Sequence, residues 1–154
     1  MLRDENGNVW ATGGTRLLSD FATGSHVLPL AVYCRVGRAN ITHVALIDTG
    51  ATWTVLPRAL IDGWAVQVDD LERSLRIESR FGSHSGTVVQ LDLTLLAEPG
   101  RGGDLDVPGA RAVVIDDWPG PMVIGFHGAL EVIRIAIDPG VRTGEGMLYF
   151  GPVG

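Results

Sequence analysis

Apolar positions in this chain fall into short runs of valine, isoleucine and leucine, separated by glycine and proline. The alternation is cleanest over residues 87–96, where Val89, Leu91, Leu93 and Leu95 are interleaved with Gln90, Asp92 and Thr94. An extended strand points successive side chains to opposite faces, so this segment buries one face and wets the other. The same pattern and punctuation predict strands at 27–36, 42–47, 71–79, 87–96, 110–115, 122–124, 131–137 and 146–150. Segments 71–79 and 87–96 flank Arg80-Phe81-Gly82-Ser83-His84-Ser85-Gly86, which predicts a long hairpin with a flexible tip. Helical signal is confined to two possible turns, at 57–61 and 128–131. The chain therefore reads as all-β with one or two short helical turns.

Residues 1–26 are polar and glycine-rich and read as an arm or an edge strand ahead of a body at 27–154. A length of 154 residues fits one domain. With 45% hydrophobic and 19% charged residues, the chain has enough apolar surface to bury a full core. Eighteen acidic against twelve basic residues give a net charge of −6, which argues against a nucleic-acid partner. Every basic residue is arginine, so mechanisms that need a Schiff-base or P-loop lysine are excluded. The single cysteine, Cys34, cannot form an internal disulfide, and its place in an apolar run reads as a small core residue. His26, His43, His84 and His127 share no metal-ligand spacing, so no metal or other cofactor is expected. No apolar stretch is long enough to span a bilayer, and the expectation is a cytoplasmic protein without a membrane partner.

The stretch with chemical content is Val44-Ala45-Leu46-Ile47-Asp48-Thr49-Gly50-Ala51-Thr52, an apolar strand that delivers a carboxylate into a tight turn. A carboxylate at the end of a core strand calls for a partner, which could be a metal, an arginine or a second carboxylate sharing a proton. Thr49 can hydrogen-bond the backbone of the turn, and Gly50 keeps a side chain out of the way of the carboxylate. Ile47-Asp48-Thr49-Gly50-Ala51-Thr52 resembles the active-site loop of the retropepsin-like aspartic proteases, single-domain relatives of pepsin. The likeness continues in order along the chain. A flap hairpin lies around Gly82–Gly86, Val123-Ile124-Gly125 is similar to the apolar-apolar-glycine element beneath the active-site loop, and closing strands follow at 136–140 and 147–150.

The resemblance implies a closed antiparallel β-barrel, covering roughly residues 27–150. It implies an aspartic endopeptidase in which two Asp48 carboxylates share a proton and activate a water, the second supplied by a homodimer partner about a two-fold axis. Asp48, Thr49 and Gly50 would form the catalytic loop. Ala51, Thr52, Trp53, Gly82, Ser83, His84, Met122 and Val123 would border an extended peptide substrate held by main-chain hydrogen bonds. Asp138, in Ile137-Asp138-Pro139-Gly140, is the internal rival for the second carboxylate, but Pro139 removes both a hydroxyl and an N–H donor at that turn. Two features depart from the family pattern. Phe126-His127 follows Gly125 where retroviral members carry arginine and an acid or amide, and the flap holds Ser83, His84 and Ser85 in place of an apolar run. Two other readings stay open: a catalytically silent module that uses this fold for dimerisation or peptide binding, and a domain released from a larger precursor.

Overall fold

The computed structural model describes residues 2–17, 30–37, 40–61, 74–140 and 145–153. The predicted strand starts at 27–29 and 71–73, together with His26 and the acidic pair Asp69 and Asp70, lie outside the described residues. Ten strands are present among the described residues: β1 Gly13–Arg16, β2 Ala31–Val36, β3 His43–Ile47, β4 Thr54–Pro57, β5 Ser74–Ser79, β6 Gly82–Leu95, β7 Leu105–Ile115, β8 Met122–Ile124, β9 Ile133–Asp138 and β10 Met147–Pro152. Two single turns of 3₁₀ helix, Arg58–Leu60 and Leu130–Val132, are the helical content of the described residues.

Six strands close a barrel in the order β2-β3-β8-β4-β7-β6, with β6 returning to β2 through Cys34 opposite Leu95 and Val36 opposite Leu93. The expected antiparallel pairing is broken at two places, β3 with β8 and β4 with β7, which run parallel. Strand β6 is long enough to serve two neighbours on one edge: its first half pairs with β5 and its second half with β2. Closure leaves the barrel without open edges except where the β5–β6 hairpin extends from it.

The inward positions of β6 are the alternating residues read from the sequence. Val89, Leu91, Leu93 and Leu95 are all buried, and they join Val32, Val36, Leu56 and Ile124 in one core cluster. Cys34 belongs to this cluster with its thiol 3.7 Å from the Met122 sulfur, and burial pushes the thiol up to about 12. A second, three-stranded sheet of order β1-β10-β9 reaches the same core through Leu148 and Phe150 of β10.

Residues 13–16 of the amino-terminal segment form β1, an edge strand of the small sheet, and Thr15 within it is fully buried. Two expectations are corrected. Thr54–Pro57, absent from the predicted strands, is strand β4. Its four residues are too few to show a period, and parallel pairing with β7 supplies the hydrogen bonds that make it a strand. The hairpin tip is shorter than expected. Ser79 pairs with Gly82, so the turn is Arg80-Phe81 alone, and Gly82–Gly86 lie within β6. Gly82 has φ +109°, a backbone conformation that side chains disfavour, and this permits the tight turn.

Candidate active site

The Asp48 loop is held where three strands meet. Strand β8 lies between β3 and β4, with Leu46 opposite Val123 on one side and Val55 opposite Val123 on the other. The chain leaves β3, turns through residues 48–53 and returns as β4, so the turn straddles the end of β8. The Asp48 N–H donates to the Ile124 carbonyl at 3.1 Å. The Phe126 and His127 N–H groups donate to the carbonyls of Ala51 and Thr52, each at 2.9 Å. Backbone bonds with one distant segment, residues 124–127, thus fix the turn.

Gly125 is required at the crossing. A β-carbon there would overlap the Trp53 carbonyl and lie 2.8 Å from the Thr54 nitrogen. That close approach lets the Gly125 N–H donate to the Thr54 hydroxyl at 3.1 Å, in a site where Thr54 is fully buried. Thr54 was not among the residues singled out in the sequence. It follows the motif by several positions, and only the return of β4 against Gly125 brings its hydroxyl under the loop. The side chains of Thr49 and Thr52, by contrast, are exposed.

Asp48 itself is exposed, and its Oδ1 accepts the Gly50 N–H at 2.9 Å. A β-carbon on Gly50 would sit 3.2 Å from that oxygen, tighter than ordinary contact, so the glycine leaves room for the carboxylate. Among the described residues no cation is paired with Asp48. The carboxylate is therefore oriented by the backbone, and no described residue engages its second oxygen. Asp138, the internal rival, ends β9 on the separate three-stranded sheet, where its Oδ1 accepts the Gly140 N–H.

A second apolar cluster adjoins this loop. Val55, Val88, Val113 and Ile115 are buried, and Trp53, Leu75, Ile77, Trp118 and Val123 pack against them half exposed. The cluster draws together the chain after Asp48, the β5–β6 hairpin and the 118–123 segment, and so forms an incompletely covered apolar wall between loop and hairpin. Trp53, Val123 and the Trp118 segment from the sequence reading belong to it. Met122, expected at the border of a cleft, is instead buried in the main core. Ala51 is half buried beside Phe126. Gly82 and Ser83 are exposed on the hairpin, and the Ser83 hydroxyl accepts from Arg76 at 2.6 Å.

The segment after Gly125 replaces the expected charged pair with rings. Trp53 and His127 approach at 5.5 Å between centroids, and Phe126 stands 48% exposed beside them. His127 faces Glu131 at 3.6 Å. The Gly128 N–H, donating at 2.6 Å, holds the Glu131 carboxyl below the usual carboxylate range. Among the described residues no group of histidine, cysteine, aspartate and glutamate side chains is arranged to hold a metal ion, and no helix is long and apolar enough to cross a membrane.

A retropepsin-like aspartic protease from Rickettsia conorii has a similar structure, with a TM-score of 0.53 over 96% of this chain and 99% of that one. This chain has the retropepsin fold. Identity between the two sequences is only 13%, so the likeness lies in the path of the backbone. No protein-family model and no curated protein matches the sequence.

Proposed function

We propose that this retropepsin-fold chain is an aspartic endopeptidase whose active site is completed by a second copy of itself. The observation that carries the reading is the Asp48 loop: a strand-end carboxylate, aimed by the Gly50 N–H, free of any cation among the described residues and adjoining an open apolar wall. Hydrolysis of a peptide by water needs one carboxylate to take a proton from the water and a protonated partner to polarise the carbonyl. One Asp48 supplies one of these. A two-fold axis beside the loop supplies the other from the same residue of the second copy.

Two further features support a dimer. Strand β9 has no neighbour on its outer edge among the described residues, and Ile137 on it is 46% exposed. Its sequence, Ile133-Arg134-Ile135-Ala136-Ile137-Asp138, is also self-complementary. Antiparallel pairing of two copies centred on Ala136 sets Arg134 of each opposite Asp138 of the other, with the isoleucines on the opposite face. The substrate in this reading is an extended peptide with bulky apolar residues at the cleaved bond, because the wall beside the loop is apolar and ring-lined.

The test is digestion of a peptide library by the purified protein and by Asp48→Asn, with the oligomeric state followed by light scattering. Cleavage by the first and none by the second, in a dimeric species, is the expected result. A well-folded dimer that cleaves nothing would favour a silent binding module, and full activity in a monomer would refute the two-copy site.

A further inference from the structure

His84 is the best-defined polar feature that the proposed chemistry does not use. It lies on β6 three residues beyond the hairpin turn, and its side chain is only 10% exposed. Pairing of β6 with β7 is regular from Leu91 opposite Ala110 to Thr87 opposite Val114, and β7 ends at Ile115. Carrying that register onward brings His84 to Asp117, in the loop that joins β7 to β8. There the ring meets Trp118 edge-on at 5.3 Å, while Phe81 of the turn meets the same indole at 5.5 Å. Gly120 makes room for this contact, since a β-carbon there would stand 2.9 Å from the Phe81 ring.

Both ring nitrogens of His84 face oxygen acceptors. Nε2 is 3.2 Å from the Phe81 carbonyl, and Nδ1 is 3.6 Å from Asp117 Oδ1. A neutral imidazole carries one N–H, so either tautomer leaves a lone pair directed at an oxygen. Water cannot reach Nδ1 to relieve the mismatch there, because that atom is buried. Only the imidazolium, with a proton on each nitrogen, matches both neighbours. Of the other charged groups nearby, Glu78 on β5, held by Arg76, also feels the His84 charge, whereas Asp116 is held by Arg58 at 2.8 Å and Arg80 stacks on Phe81.

We infer that His84 and Asp117 form a proton-operated latch that holds the tip of the β5–β6 hairpin against the 116–121 loop of the same chain. Protonation completes both contacts and fastens the hairpin. Without that proton one contact turns unfavourable, and the tip is held by ring packing alone. The consequence for peptide entry rests on the protease reading, because there the hairpin must lift to admit substrate. The latch itself does not depend on that reading.

Amide hydrogen exchange on the whole protein without substrate tests it. Protection factors at Phe81 and Gly82, corrected for intrinsic exchange, should be about three- to fivefold higher at pH 5.5 than at pH 8, the scale of one partly exposed ion pair. Asp117→Asn and His84→Gln should each remove that difference. Asp117 is 83% exposed, so its variant retains the fold even where His84→Gln does not. Protection that is independent of pH in the unaltered protein, or a pH dependence that survives Asp117→Asn, would overturn the latch. Neither result bears on whether Asp48 cleaves peptides.

Discussion

The chain contains the same short device twice. At Ile47-Asp48-Thr49-Gly50 and at Ile137-Asp138-Pro139-Gly140 a strand ends in an aspartate whose Oδ1 accepts the N–H of the glycine two residues on, in both cases at 2.9 Å. Locally the two are the same turn. They differ in what surrounds them. Asp48 ends a barrel strand flanked by β2 and β8, and its loop receives backbone bonds from 126 and 127. Asp138 ends an outer strand of the small sheet, and Gly140 turns there with φ +69° against the backbone of Glu145. An aspartate turn is thus not a site by virtue of its own geometry. The Asp48 turn becomes a candidate because other segments hold it rigidly beside an apolar wall.

The largest expected separation between the two is in activity. Asp48→Asn should lower kcat by about 10³-fold or more at every protein concentration, since the base is lost. Asp138→Asn should lower activity only in dilute solution, where loss of the charge across β9 favours monomer. Equal, concentration-independent losses in the two variants would erase the distinction.

Backbone crowding should separate the turns next. Gly125→Ala forces a methyl into the Trp53 carbonyl and should cost about 3 kcal/mol or more, read from urea denaturation midpoints. Thr54→Val leaves the buried Gly125 N–H without an acceptor and should cost about 1–3 kcal/mol in the same assay, with a larger proportional loss of kcat than of stability at assay temperature. A Thr54→Val protein with unaltered kcat would show that the Asp48 turn needs no support from below.

The smallest effect sharpens the chemistry of the Asp48 turn alone. Ala51 has no hydroxyl to donate to an ionised pair of carboxylates. Ala51→Ser adds that donor and favours the ionised form, so the productive singly protonated pair should be lost at lower pH. The alkaline limb of kcat/KM against pH should move toward acid, and a limb that stays or moves toward base would assign its control to the hairpin or to the dimer.

The strand pattern, the Asp48 motif and the Val123-Ile124-Gly125 element were all legible in the sequence, and the strands so read, the barrel and the packing of Gly125 under the Asp48 loop are what the structure contains. Those features rest on local physics: alternation fixes which face of a strand is apolar, and a glycine at a crossing announces itself by residue type. What could not be read is of another kind. Strand β4 has no period of its own and exists because β7 and β8 offer it backbone partners. Thr54 is an ordinary threonine until Gly125 reaches it, and His84 is one polar residue of the hairpin until the register of β6 with β7 carries it to Asp117. In each case the deciding partner lies far along the chain. A side chain's own chemistry is written in its residue type, whereas the partner that employs it is chosen by strand register and barrel closure, which only the tertiary structure sets.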